Sequence, residues 1–156
     1  MRSATRFTTI FLAVALVSLL APVGWAQTYA SASERQLFDA ANRERQNRGL
    51  SVLKWDEALA KAAHRHAVEM AKQGTISHQF PGEPSLPARV TKAGARFTSL
   101  AENVAQAQSA RQIHDLWMHS PGHRANLLDK DMDSVGIGIF AHNRDLFAVE
   151  DFSRAK

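Results

Sequence analysis

The chain carries no cysteine, yet it opens on what reads as an export signal, and that combination limits its fold more than any other feature. Arg2 and Arg6 form a basic start, Phe7 to Leu20 an apolar run, and Pro22 and Gly24 break the run before Ala26. An apolar stretch of roughly 15 residues is short for a bilayer span, and small residues at Gly24 and Ala26 suit signal peptidase. Cleavage is expected after Ala26, with Ala30 as second choice; the competing reading is a retained anchor that leaves the domain facing outward. Residues 1–26 are read as a signal peptide and 27–156 as one domain of a secreted or periplasmic protein, with no stable membrane span after processing. Small exported domains often rely on disulfides. Here packing alone must hold the fold, and thiol chemistry is excluded. About 130 residues suffice for one hydrophobic core and not for two.

Removing Arg2 and Arg6 with the leader lowers the formal net charge from +4 to +2. The remaining basic residues alternate with acids, as in Glu34-Arg35 and Arg43-Glu44-Arg45, and read as a solvated surface rather than a block for nucleic acid. No nucleic acid partner is expected.

Local signals lay out helices first and strands last. Ser33 with Gln36 three residues on is a capping-box pattern, and Gly49 a stop, so a first helix is expected between them. Asp56 caps a second helix ending at Gly74, with an apolar stripe through Leu59, Ala62, Ala63, His66, Ala67 and Met70. After a loop over Pro81 to Pro87, a short helix is expected to Ala93, stopped by Gly94. Ser109 opens a helix carrying Ile113, Leu116 and Trp117 that Pro121-Gly122 breaks, with one further turn over Arg124 to Leu128. Ser134 to Ala141 and Leu146 to Phe152 flank a turn at His142 to Asp145 and read as a hairpin. Trp55, Trp117, Phe140, Phe147 and Phe152 read as core aromatics, and strand alternation puts Glu150 on the side of Ala148. The class is α+β, an antiparallel sheet covered by helices.

Three separated places carry chemistry: Ser77-His78 after the second helix, Ala101-Glu102-Asn103, and Trp117 to Leu128, W-M-H-S-P-G-H-R-A-N-L-L. Together with the later G-I-G-I-F and a terminal aromatic strand, this order of motifs resembles the CAP or SCP-like superfamily of secreted proteins in its bacterial form. The resemblance covers nearly the whole mature chain, and it departs from many eukaryotic members in lacking cysteine. It implies a three-layer α-β-α sandwich with a cleft gathering two histidines and acidic residues. His78 and His123 match the two histidines, and Glu102 matches the first acidic position. The second acidic position, three residues after the tryptophan in many eukaryotic members, is Ser120 here, as serine is usual there in the bacterial members the chain resembles.

Two neutral imidazoles from separate segments can bind a divalent cation such as zinc, and with two protein ligands the site stays open and weak. Glu102 either acts on bound water as general base or orients a histidine; the orienting role is the preferred one. The first functional reading is a binding domain, with a cleft walled by His78, Glu102, Ser120 and His123. By resemblance its ligands are divalent metals, sterols or other lipids, or an envelope protein partner. The second is a metal-assisted hydrolase of peptide or cell-wall material, with Glu102 and Ser120 as candidate catalytic residues and His78 and His123 as metal ligands. The third is a structural or interaction module of the envelope. His119 and His123 have metalloprotease spacing, but Pro121-Gly122 intervenes and the glutamate of H-E-x-x-H is missing. Ser120 lies in no G-x-S-x-G elbow. His64 and His66 point to different faces of their helix.

Overall fold

The computed structural model describes residues 31–156, so the expected leader and both cleavage positions lie outside the described residues. Five helices and four strands follow in the order α1 (Ala32–Gln46), β1 (Lys54–Trp55), α2 (Glu57–Gln73), α3 (Leu86–Ala93), β2 (Phe97–Ala107), α4 (Ala110–His119), α5 (Pro121–Leu127), β3 (Ser134–His142) and β4 (Asp145–Ala155). The sheet order is β1-β3-β4-β2. The three long strands pair antiparallel, and the two-residue β1 adds a parallel partner to β3.

The fold is α+β in three layers, with α2 and α3 on one side of the sheet and α1, α4 and α5 on the other. On the α2 side, Ala63, Ala67 and Met70 pack on Val104, Phe147 and Val149, and Leu59 and Ala62 meet Val90 of α3. On the opposite side, Leu37, Ala41, Ile113, Trp117 and Leu127 pack on Ala105, Ile137, Ala148 and Phe152. Helices as short as α4 and α5 are marginal alone. Each fully buried apolar side chain contributes about 1.5–3 kcal/mol, so Ile113, Trp117 and Leu127 hold these two in place. Trp117, Phe147 and Phe152 are core as expected; Trp55 and Phe140 are half-buried, Trp55 edge-on to Phe38 at 5.6 Å.

The G-I-G of β3 has a steric cause. A Cβ on Gly136 would lie 2.0 Å from the Ala60 amide nitrogen, and one on Gly138 2.0 Å from that of His64. The α2 backbone therefore rests directly on the strand.

Several local expectations change. The first helix is capped by Ser31, whose side chain accepts from Glu34 N–H while Glu34 returns to the Ser31 amide, so the capping box lies two residues before Ser33. Glu34 is also buried enough to accept from Ile139 N–H at 3.0 Å. Arg45 is fully buried, not solvated. It continues the inward row Leu37, Ala41, Arg45, four residues apart along α1. Pro121 breaks α4 but also starts α5, where its missing N–H costs nothing. β2, eleven residues long, was not anticipated beyond its E-N-V motif. Asp56, Gly74, Gly94 and Ser109 cap as expected.

Candidate functional site

β2 lies at the edge of the sheet, and the site forms where elements from both faces meet that edge. Glu102 and Asn103 are consecutive, so they point to opposite faces. Across the ladder they face Asp151 and Glu150 of β4. Four buried polar side chains thus form two cross-strand pairs, Glu102–Asp151 toward α2 and α3, and Asn103–Glu150 toward α5.

His78 arrives on the loop after the left-handed Gly74 cap. Its ring is exposed, and its Nδ1 lies 2.9 Å from Glu102 Oε1. Because a carboxylate only accepts, Nδ1–H donates and Nε2 is left outward. The other oxygen of Glu102 accepts from Arg89 Nη2 of α3. Arg89 also donates from Nη1 to the carbonyl of His78 at 3.0 Å, so one guanidinium fixes both the backbone of His78 and the carboxylate that orients its ring.

The loop itself is pinned by His66. This histidine is wholly buried in α2, with Nδ1 2.6 Å from Glu83 Oε1 and Nε2 2.7 Å from the Ser77 carbonyl. Glu83 in turn accepts from Phe80 N–H at 3.1 Å and lies 3.9 Å from Arg89. Sequence reading placed His66 on the apolar stripe of α2 without assigning it a task. A polar residue on such a stripe must find partners inside, and that was the available signal. Arg89, Glu83 and Asp151 were missed altogether.

On the other face, α5 brings His123, half-buried, to the same edge. Asn103 Nδ2 donates to the His123 carbonyl at 3.1 Å and to Glu150 Oε2 at 3.2 Å. Asn126 donates to Asn103 Oδ1 at 2.9 Å and to the Glu102 carbonyl at 3.3 Å, covering the free edge of β2 from outside. Burial, and then the charge of His78, hold the His123 imidazole below its ordinary pKa. His78 and Glu102 are joined by a hydrogen bond, and the segment carrying His123 is tied to the same strand through Asn103 and Asn126. Ser120 joins α4 to α5 and is half-buried; its side chain makes no cap bond on either helix and no hydrogen bond to the other three among the described residues.

The two acids of β4 are shifted upward. Burial pushes the Glu150 carboxyl up to about 8, against the hydrogen bond from Asn103. Burial, followed by the charge of Glu102, raises Asp151 well above the usual carboxylate range.

For a metal, the donor set consists of two imidazoles, since Glu102 is engaged by His78 and Arg89. Among the described residues no group of three or more His, Cys, Asp or Glu is placed to hold one. The set fits an open cation site completed by water and not a closed structural one. A groove of about 700 Å³ between α1, α2 and β3, lined by Trp55, Lys61, His64 and Ile137, carries none of these residues.

The same arrangement of elements recurs in known proteins. The Bacillus subtilis protein YkwD is 32% identical over 114 residues, 72% of this chain and 44% of that protein. An extracellular protein containing an SCP domain from Bacillus anthracis is 31% identical, with TM-score 0.69, over 78% of this chain and 40% of that one. An outer surface protein from Borrelia burgdorferi shares the fold, with TM-score 0.74 at 22% identity over 81% of this chain and 95% of that one. The chain spans less than half the length of YkwD. No helix of the described residues is long and apolar enough to cross a membrane. The sequence matches the cysteine-rich secretory protein family, CAP, over residues 38–152, and this cysteine-free chain belongs to that family.

Proposed function

We propose that the protein is an exported binding domain whose cleft presents His78 and His123 to a divalent cation, zinc being the class best suited to two imidazoles with open coordination. One observation carries the reading. Glu102, itself held by Arg89, takes the Nδ1–H of His78 and leaves Nε2 unengaged, while the next residue of β2, Asn103, holds the His123 carbonyl. That is the orienting arrangement of a carboxylate behind a ligating histidine. Burial keeps His123 disposed to neutrality, the form that binds. A bound cation would act as a Lewis acid or a bridge to an anionic ligand.

An extracellular or envelope location is supported by the names of the similar Bacillus anthracis and Borrelia proteins and by the basic, apolar leader. Hydrolysis with Glu102 as general base finds less support, because its side chain is 3% exposed and both oxygens are already engaged. Calorimetric titration with zinc at pH 7.5 should give heat with the wild type and none with the His78→Ala, His123→Ala double variant. Equal heats in the two proteins would defeat the proposal. Binding should fade as pH falls through the depressed pKa of His123, below the ordinary imidazole range, because the protonated ring cannot bind.

A further inference from the structure

We propose that Asp151 is the second carboxyl group of this site, a neutral acid that donates its hydrogen to Glu102 and completes the set of donors fixing His78. The inference rests on the cleft reading above and adds a residue to it.

Register makes the contact unavoidable. Glu102 and Asp151 are directly opposed on β2 and β4 and share a face of the sheet, so their Cβ atoms stand about 4.5–5.5 Å apart. Asp151 is fully buried, and neither of its oxygens has a donor among the described residues. An ionised carboxylate in that position would lack every compensating bond. Charge counting leads to the same place. Arg89 is the guanidinium against this pair, and it already donates to Glu102. Two ionised acids on one guanidinium would leave an uncompensated buried charge. A proton on Asp151 removes the surplus and supplies the donor that two carboxyl groups in contact require. Glu102 then accepts from three sides: His78 Nδ1–H, Arg89 Nη2–H and the Asp151 hydroxyl.

Ser120, three residues past Trp117 at the end of α4, has a hydroxyl that bonds to none of the site residues. The second carboxyl comes from β4 below Glu102 instead of from the helix above the cleft. Asp151 touches Glu102 and not the cleft, so it is a positioning residue.

The test uses metal-free mature protein. The ¹³C resonance of the Asp151 carboxyl and the ¹⁵N resonances of the His78 ring are followed by NMR in the wild type, Asp151→Asn and Asp151→Leu. Asparagine keeps a donor toward Glu102; leucine keeps the volume and loses the donor. Expected are a protonated Asp151 at pH 7 and an Nδ1–H tautomer of His78 in the wild type and Asp151→Asn. Asp151→Leu should give a mixture of His78 tautomers and a zinc affinity lower by about tenfold. An ionised Asp151 at pH 7, or an unchanged His78 tautomer in Asp151→Leu, would overturn the proposal. If Asp151→Leu does not fold, the Asp151 resonance in the wild type still decides. Absence of zinc binding in the wild type would instead remove the metal reading, and the tautomer measurement would stand independently of it.

Discussion

Arg45 and Arg89 are both buried, on opposite sides of the sheet, and their partners differ in kind. Arg45 is caged by backbone carbonyls: Ser51 at 2.8 Å, Leu127 and Asp129 at 2.9 Å, and Met132 at 3.1 Å. It staples α1 to the segment that leaves α5. Arg89 meets the Glu102 carboxylate, with Glu83 farther off, and the carbonyls of His78 and Pro84. Carbonyls cannot change charge, so a guanidinium among them can only hold shape. Carboxylates pass the influence on, because the second oxygen of Glu102 faces an imidazole. The same residue type is scaffold in one place and part of a site in the other.

Arg45→Met should cost the most. It strands four carbonyl acceptors with no way to neutralise them, and a loss of about 3–5 kcal/mol in denaturant unfolding is expected. Zinc binding by the folded fraction should not change. Arg89→Met should cost less, about 2–4 kcal/mol, because Glu102 can shed its orphaned charge by taking a proton. It should nevertheless abolish the ordered tautomer of His78. If Arg89→Met costs as much as Arg45→Met and leaves His78 untouched, the division into scaffold and site fails.

Why one arginine announced itself no better than the other is a matter of range. Arg45 sits in Arg43-Glu44-Arg45, which reads as solvated charge until the helical spacing from Leu37 and Ala41 turns it inward. Arg89 and Asp151 reach Glu102 only through the placement of α3 and the register of β4 on β2, neither of which is written locally. By contrast, His78, Glu102 and His123 lie within motifs, and the caps at Asp56, Gly74 and Ser109 are set by neighbours within a few residues. Much of β2 escaped because its centre, Glu102 to Ala105, is buried on both faces and shows no alternation. The two-residue β1 is too short to carry a pattern.

Glu150 sharpens the comparison from the acidic side. It lies on the same face as Arg45, yet its one hydrogen bond comes from Asn103, and Oε1 has no partner among the described residues. With its pKa raised from 4.5 to about 8 in the folded protein, its contribution is full below pH 4.5 and is lost as pH rises through 8. Glu150→Gln mimics the protonated acid and should flatten that decline. Thermal unfolding between pH 4 and pH 9 should show near-equal stability at pH 4 and a gain of roughly 1–2 kcal/mol for the variant at pH 8. A wild type that becomes more stable over this range would place the charge of Glu150 among favourable partners, and would make it a counterpart of Glu102.

The smallest effect should come from Ser120, and its smallness is informative. A serine that caps a helix through its hydroxyl typically contributes about 1 kcal/mol relative to alanine. Ser120 stands at the end of α4 and the start of α5, but only its backbone is used: its N–H donates to the Leu116 carbonyl at 3.1 Å and its carbonyl accepts from Arg124 N–H at 2.9 Å. With no side-chain bond to lose, Ser120→Ala should shift stability by less than about 0.5 kcal/mol. Zinc heats should match the wild type if the second carboxyl of the site is Asp151. A fall in zinc affinity comparable to that of Asp151→Leu would return the missing acid's task to the end of α4. Arg89 and Asp151 would then be a buried ion cluster with no more bearing on the cleft than the carbonyl cage of Arg45.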